Sequence, residues 1–292
     1  MEGMKRLLAI AAASALLLTG CALRTPTPAP TAETGVQHTV DGRTYLLTVP
    51  ANAPANAPLV IMLHGGFGSG SQAEKSYGWD ELAASEGFIV AYPDGEGRAW
   101  NAGGGCCGAP GRDGTDDVAF ITSVVADIEA RHSIDPARVY ATGMSNGALL
   151  SYRLACDTDL FAAIAPVAGT IVGDCPTPHP TSVLEIHGLA DQNVRMDGSP
   201  GAGVASVDGM PVADVNDLWR TADSCQPPQV STSGPVTTST ATCADGRTVM
   251  LTTIEGAGHQ WPGSEKIRDG GDPPSTALDA TATIWAFFAT TA

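Results

Sequence analysis

Two hydrophobic rhythms alternate along this chain. Near the start of the patterned region, "VQHTV" and "RTYLLTVP" flank Asp41-Gly42, which predicts a β-hairpin. Beyond an Ala/Pro linker, "PLVIMLHGG" is a continuous apolar run ending in glycines, as a parallel strand buried on both faces would be. "FIVAYPDG", "ARVYATGMS", "FAAIAPVAG" and "TSVLEIHG" repeat that form, and "TVMLTTIEGAGH" alternates like a half-buried strand. Between them lie helical segments. "WDELAASEG" precedes the second buried strand, and in "DDVAFITSVVADIEARHS" Val118, Ile121, Val125 and Ile128 recur at helical spacing behind aspartate caps. "NGALLSYRLA", "VADVNDLWRTADS" and "ALDATATIWAFFA" complete the set. Strands alternating with helices predict one α/β domain, a mostly parallel central sheet covered by helices on both faces. Gly-rich loops from Pro93 to Thr115 and from Gln192 to Met210 carry no amphipathic lid helix, and there is no internal repeat.

Composition narrows the partners. A formal charge of −16 in 292 residues argues against the clustered basic surface that nucleic-acid binding needs, so no nucleic-acid partner is expected. At the N-terminus, Lys5 and Arg6 precede an apolar run from Leu7 to Leu18, the form of a secretory signal over residues 1–20; Glu2 sits poorly in a basic leader, so Met4 is an alternative start. The run ends in "LTGC", which resembles the bacterial lipobox and implies lipidation of Cys21 and a membrane anchor; an ordinary secretory signal with a stray cysteine is the alternative. Residues 21–35, rich in Pro and Thr, read as a semi-rigid tether, leaving 36–292 as the folded domain. Six cysteines remain. In an exported protein that even number reads as disulfides, and proximity suggests Cys156 with Cys175, Cys225 with Cys243, and Cys106 with Cys107. No C-x-x-C pair with matching histidines supports a metal site, and no cofactor motif is present.

Candidate chemistry lies at strand ends. In "VYATGMSNGALLSYRLA", Ser145 stands between Gly143 and Gly147 where a strand turns into a helix. In a chain with 34 glycines that string can arise by chance, so its context decides. The glycines permit a sharp turn that exposes the serine hydroxyl, as a nucleophile requires. An acid and then a histidine should follow at later strand ends. Asp191 lies just beyond "VLEIHG", with Asp197 further into the loop, and His259 just beyond "VMLTTIEGAG". Of the other histidines, His38, His132 and His179 read as structural, while His64 and His187 close strands and orient loops. An oxyanion would need two backbone N–H donors: Asn146 at the start of the helix, and Gly66 or Phe67 in "HGGF". Asp116 and Asp117 read as helix caps.

"WNAGGGCCG", "DDVAF", "RVYATGMSNGALLSYRLAC", "FAAIAPVAGT", "HGLADQNV" and "GHQWPG" together resemble the polyhydroxybutyrate-depolymerase and feruloyl-esterase family of secreted α/β-hydrolases, from about residue 36 to the end. The resemblance implies the α/β-hydrolase fold and a serine esterase with Ser145 as nucleophile, Asp191 as orienting acid and His259 as base. It further implies that Trp100, Trp261 and the Cys106–Cys107 pair line or brace the mouth of the site, although both tryptophans also fit as packing residues. After the acid this chain departs from the family pattern with "VRMDGSPG", so the pocket wall there is its own. The expected substrate is a carboxylic ester, short-chain, hydroxybutyryl, or feruloyl and acetyl esters on a polymer, hydrolysed without metal or organic cofactor. Two other readings compete: acyl transfer to a sugar or lipid alcohol, and a surface lipoprotein that uses the fold only for binding. Oligomeric state is not legible.

Overall fold

The computed structural model describes residues 31–265 and 270–291. The signal segment, the lipobox and Cys21 lie outside the described residues. Ten strands form one sheet in the order β1-β2-β4-β3-β5-β6-β7-β10-β9-β8. Its centre is parallel: β3 (Ala57–Leu63) lies between β4 (Ile89–Pro93) and β5 (Ile134–Met144), and β6 (Ala163–Val167), β7 (Ser182–Gly188) and β10 (Thr248–Ile254) continue in the same direction. Every residue of β3, β4, β6 and β7 is buried, as strands covered on both faces must be.

Both edges are antiparallel. β1 (Glu33–Val40) and β2 (Arg43–Val49) form the predicted hairpin, and Asp41 and Gly42 both take positive φ (52° and 77°), as a two-residue turn of this hand demands. β1 opens at Glu33, so the last residues assigned to the tether already pair with the sheet. At the other edge, β8 (Gln229–Ser233) and β9 (Val236–Thr242) form a hairpin that the hydrophobic pattern did not reveal, because β8 is exposed throughout and carries almost no apolar residue.

Helices cover both faces. α4 (Asp117–Arg131), α5 (Asn146–Asp157) and α6 (Val212–Ala222) enclose one core, where Phe120, Ile121, Leu150, Tyr152 and Trp219 meet Leu59, Ile61 and Val183 of the strands. α1 (Gly70–Tyr77), α2 (Trp79–Glu86) and α7 (Ala280–Phe288) enclose the other, around Val60, Met62, Leu184 and Ile186. Odd and even strand positions part cleanly between the two cores, which is the period of two expected of a pleated strand. A further short helix, α3 (Gly108–Asp113), sits in the long loop after β4. Asp116 caps α4 by accepting the Ala119 N–H at 2.9 Å. Asp117 is not a cap but a buried anchor, accepting the Asn101 N–H at 2.6 Å and pairing with Arg43 at 2.7 Å.

Three disulfides join the cysteine pairs that proximity suggested: Cys106–Cys107, Cys156–Cys175 and Cys225–Cys243. Among the described residues no helix is long and apolar enough to cross a membrane, and no cluster of three metal-ligating side chains occurs.

Candidate active site

Ser145 occupies the turn between β5 and α5 with φ 56° and ψ −118°, a backbone conformation that costs a non-glycine residue about 1–3 kcal/mol. The surroundings hold it there. A Cβ on Gly143 would fall 2.5 Å from the Gly147 backbone, and one on Gly147 would fall 2.2 Å from the Leu63 carbonyl oxygen. The glycines let the turn press against the end of β3, and the Ser145 N–H donates to Val167 O at 2.9 Å.

The serine, acid and histidine singled out from the sequence converge from three strand ends. His259 Nε2 lies 2.7 Å from Ser145 Oγ, and His259 Nδ1 lies 2.7 Å from Asp191 Oδ2. A carboxylate only accepts, so Nδ1 carries the ring proton and Nε2 is left to accept from the serine hydroxyl. Asp191 Oδ1 is held separately, by the N–H groups of Asn193 (2.8 Å) and Val194 (2.9 Å). Burial pushes the Asp191 carboxyl up, but the His259 hydrogen bond and the nearby imidazoles outweigh it and hold its pKa below the ordinary carboxylate value. Asp197, the other acid considered, is spent on Ser199.

A second carboxylate was not anticipated. Asp272 accepts the His259 backbone N–H at 2.6 Å and fixes the loop that carries the ring. It lies 13 residues further along the chain, and nothing in its local sequence marks it.

The oxyanion candidates divide. Asn146 is the first residue of α5, so its N–H has no partner within the helix. The Phe67 N–H donates to Arg98 O at 2.8 Å, which removes it as a candidate. Gly66 remains: among the described residues its N–H has no acceptor, and a Cβ placed on it would lie 3.9 Å from the Asn146 Cβ. The loop around it is tied down by His64, whose Nδ1 bonds Gly65 O at 2.8 Å while Nε2 accepts the Gly95 N–H at 2.9 Å. That pattern requires a neutral ring, and burial lowers the His64 pKa accordingly. His64 therefore orients loops, and so does His187, whose Nε2 meets Val194 O at 2.9 Å. His38 and His132 both face Glu33.

The two tryptophans do not line a binding surface. Trp100 is 0% and Trp261 1% exposed, so neither presents a ring to a ligand. Trp261 stacks on Tyr77 and donates to Thr281 Oγ1 at 3.0 Å. Trp100 donates its indole N–H to His64 O at 2.8 Å, and its backbone is gripped on both sides by the Asn146 amide: Trp100 N to Oδ1 at 2.7 Å, Nδ2 to Trp100 O at 3.0 Å. The Cys106–Cys107 pair braces the same loop, because the Cys107 N–H donates to Trp100 O at 2.9 Å. Exposed apolar side chains at these strand ends are instead Phe67 (60%) and Leu189 (45%). A cavity of about 170 Å³ beside α5, lined by Ala102, Leu149, Arg153 and Val172, contains none of the three converging side chains.

Comparison with known proteins agrees with this architecture. Residues 43–224 match the family described as Esterase PHB depolymerase. The "Putative esterase NocK" of Nocardia uniformis subsp. tsuyamanensis is 32% identical over 260 residues, covering 77% of this chain and 72% of that protein. Feruloyl esterase B of Piromyces equi is 33% identical over 221 residues, covering 70% of this chain; the chain spans 39% of that longer protein. The solved acetyl xylan esterase from Aspergillus awamori superposes with a TM-score of 0.63 at 15% identity, over 87% of this chain and 98% of that one, a likeness of fold.

Asn146→Ala keeps the backbone N–H but leaves the Trp100 N–H without its partner, while the Trp100 carbonyl retains the Cys107 N–H. A buried donor so stranded costs about 1–3 kcal/mol, so a clear fall in thermal midpoint is expected by differential scanning calorimetry; an unchanged midpoint would show that the grip on Trp100 is immaterial.

Proposed function

The chain belongs to the PHB-depolymerase esterase family, and from that premise we propose that it hydrolyses carboxylic esters through an acyl-enzyme on Ser145. The observation that carries this reading is the unbroken path from Ser145 Oγ through His259 to Asp191, each link 2.7 Å long. His259 takes the serine proton as Oγ attacks the ester carbonyl, and Asp191 holds the imidazole in the productive tautomer and stabilises the imidazolium that forms. The Asn146 and Gly66 N–H groups receive the tetrahedral oxyanion. His259 then protonates the leaving alcohol, and water activated by the same ring frees the acid.

Ser145 is partly exposed, so water reaches the acyl-enzyme, which favours hydrolysis over transfer to another alcohol. The rim offers Phe67 and Leu189, apolar and exposed, and its aromatic group suits an acyl or aryl ester carried at the surface of a larger molecule. Short-chain acyl, hydroxybutyryl, and feruloyl or acetyl esters on a polymer form the substrate class, consistent with the names of the family and of its relatives. The three disulfides suit an oxidising compartment outside the cytoplasm. We place the protein on a membrane through a lipid on Cys21. Cys21→Ala should release it from the membrane fraction, and full retention would contradict the anchor.

Ser145→Ala is expected to reduce hydrolysis of a p-nitrophenyl ester by several orders of magnitude with an unchanged circular-dichroism spectrum. Residual activity above a few per cent in the folded variant would refute Ser145 as nucleophile.

A further inference from the structure

Behind Asp191, away from the reacting serine, lies a polar group that the mechanism above does not use. Glu185 and His187 stand two residues apart on β7, and both side chains are 0% exposed. The period of two turns both toward α5, among the residues of a hydrophobic core. A buried carboxylate and imidazole in such a place are costly unless every proton and lone pair finds a partner.

The hydrogen bonds fix the charge state. His187 Nε2 lies 2.9 Å from Val194 O; a carbonyl can only accept, so Nε2 carries a proton. His187 Nδ1 lies 2.8 Å from Glu185 Oε1, which also accepts the Gly169 N–H at 3.1 Å, while Oε2 accepts the Tyr152 hydroxyl at 2.9 Å. The Gly169 N–H and the Tyr152 hydroxyl both donate to this carboxyl, which suits the ionised form, and an ionised, acceptor-only carboxylate takes Nδ1–H as its third donor. Both ring nitrogens then bear protons. The ring also lies 3.7 Å, through Nε2, from Asp191 Oδ2, the oxygen that receives the His259 N–H.

We propose that His187 is a positioning residue held as an imidazolium by Glu185, and that its positive charge beside Asp191 keeps His259 available as a base at lower pH than Asp191 alone would allow. The inference rests on the reading of Asp191 and His259 as orienting acid and base.

Burial alone pushes the His187 ring toward neutrality, but the hydrogen bond and charge of Glu185, with Asp191 beyond, outweigh it and raise its pKa. Burial pushes the Glu185 carboxyl up, and its three donors offset that only in part, so its pKa stays above the ordinary carboxylate value. The titratable groups around the pair are Tyr152 from α5, Asp191 from the loop after β7 and, across Asp191, His259; Asp272 meets only the His259 backbone. An unopposed Asp191 anion would stabilise the His259 imidazolium. A cation beside the same carboxylate oxygen offsets part of that pull. His187 also closes the turn that holds the acid: Asp191 Oδ1 accepts the Val194 N–H, and His187 bonds the carbonyl of the same residue.

Two measurements test this. In the wild-type protein with ¹⁵N-labelled histidine, long-range ¹H–¹⁵N spectra should show both His187 nitrogens protonated from pH 5 to 9. A ring with one unprotonated nitrogen at pH 7 overturns the proposal, and this readout holds whatever Ser145→Ala shows about the esterase reading. Glu185→Gln keeps the shape and an oxygen that can accept the Gly169 N–H, with the Tyr152 hydroxyl turning to accept from the new amide, but removes the countercharge. In the folded variant the acidic limb of kcat/KM for a p-nitrophenyl ester should move up by roughly half to one pH unit. A uniform loss of rate with the limb unmoved would mean that the pair is only a structural brace, and would overturn the tuning role.

Discussion

Everything at the candidate site depends on how closely the turn at Ser145 approaches the end of β3. Side chains at positions 143 and 147 would collide with backbone of the turn and of β3, so both must be glycine. That contact sets the start of α5 beside the Gly65–Gly66 loop, and so brings the serine hydroxyl and two backbone donors to one place. The strain at Ser145 is the cost of the geometry. It persists because the parallel strands on either side of β5 leave the turn no room to relax.

The loops that complete the site are held by polar staples rather than by regular structure. His64 joins Gly65 to Gly95, the Asn146 amide grips the Trp100 backbone, and Asp117 ties Asn101 to Arg43 and hence to the first hairpin. On the acid's side, Asp191 gathers its own turn and His187 closes it. Each staple satisfies groups that would otherwise be buried without partners, so the same bonds that avoid a desolvation penalty also fix the positions of the reacting atoms. Little separate machinery is needed for preorganisation.

Much of this was legible in the sequence, for physical reasons that differ by element. Strands buried on both faces, such as β3 and β7, are nearly pure apolar runs and could be read directly, and the order Ser145, Asp191, His259 followed from their ends. β8 and β9 escaped because they consist mostly of Thr and Ser, exposed in β8 and half-buried in β9, and no hydrophobic period arises. For Trp100 the choice between lining the site and packing stayed open because composition does not show burial; its neighbours in space, His64 and Asn146, are remote in sequence. Phe67 failed for a similar reason, since its amide partner Arg98 lies on another loop. Asp272 and the ionised pair behind Asp191 depend on long-range contacts that no local pattern encodes.

The central claim is that Ser145 is an activated nucleophile. The most direct measurement is to treat the purified, disulfide-intact protein with a fluorophosphonate probe and map the labelled peptide. The account predicts a single adduct on Ser145, lost when His259 is replaced by alanine. A folded protein that takes no label, or takes it equally without His259, would contradict it.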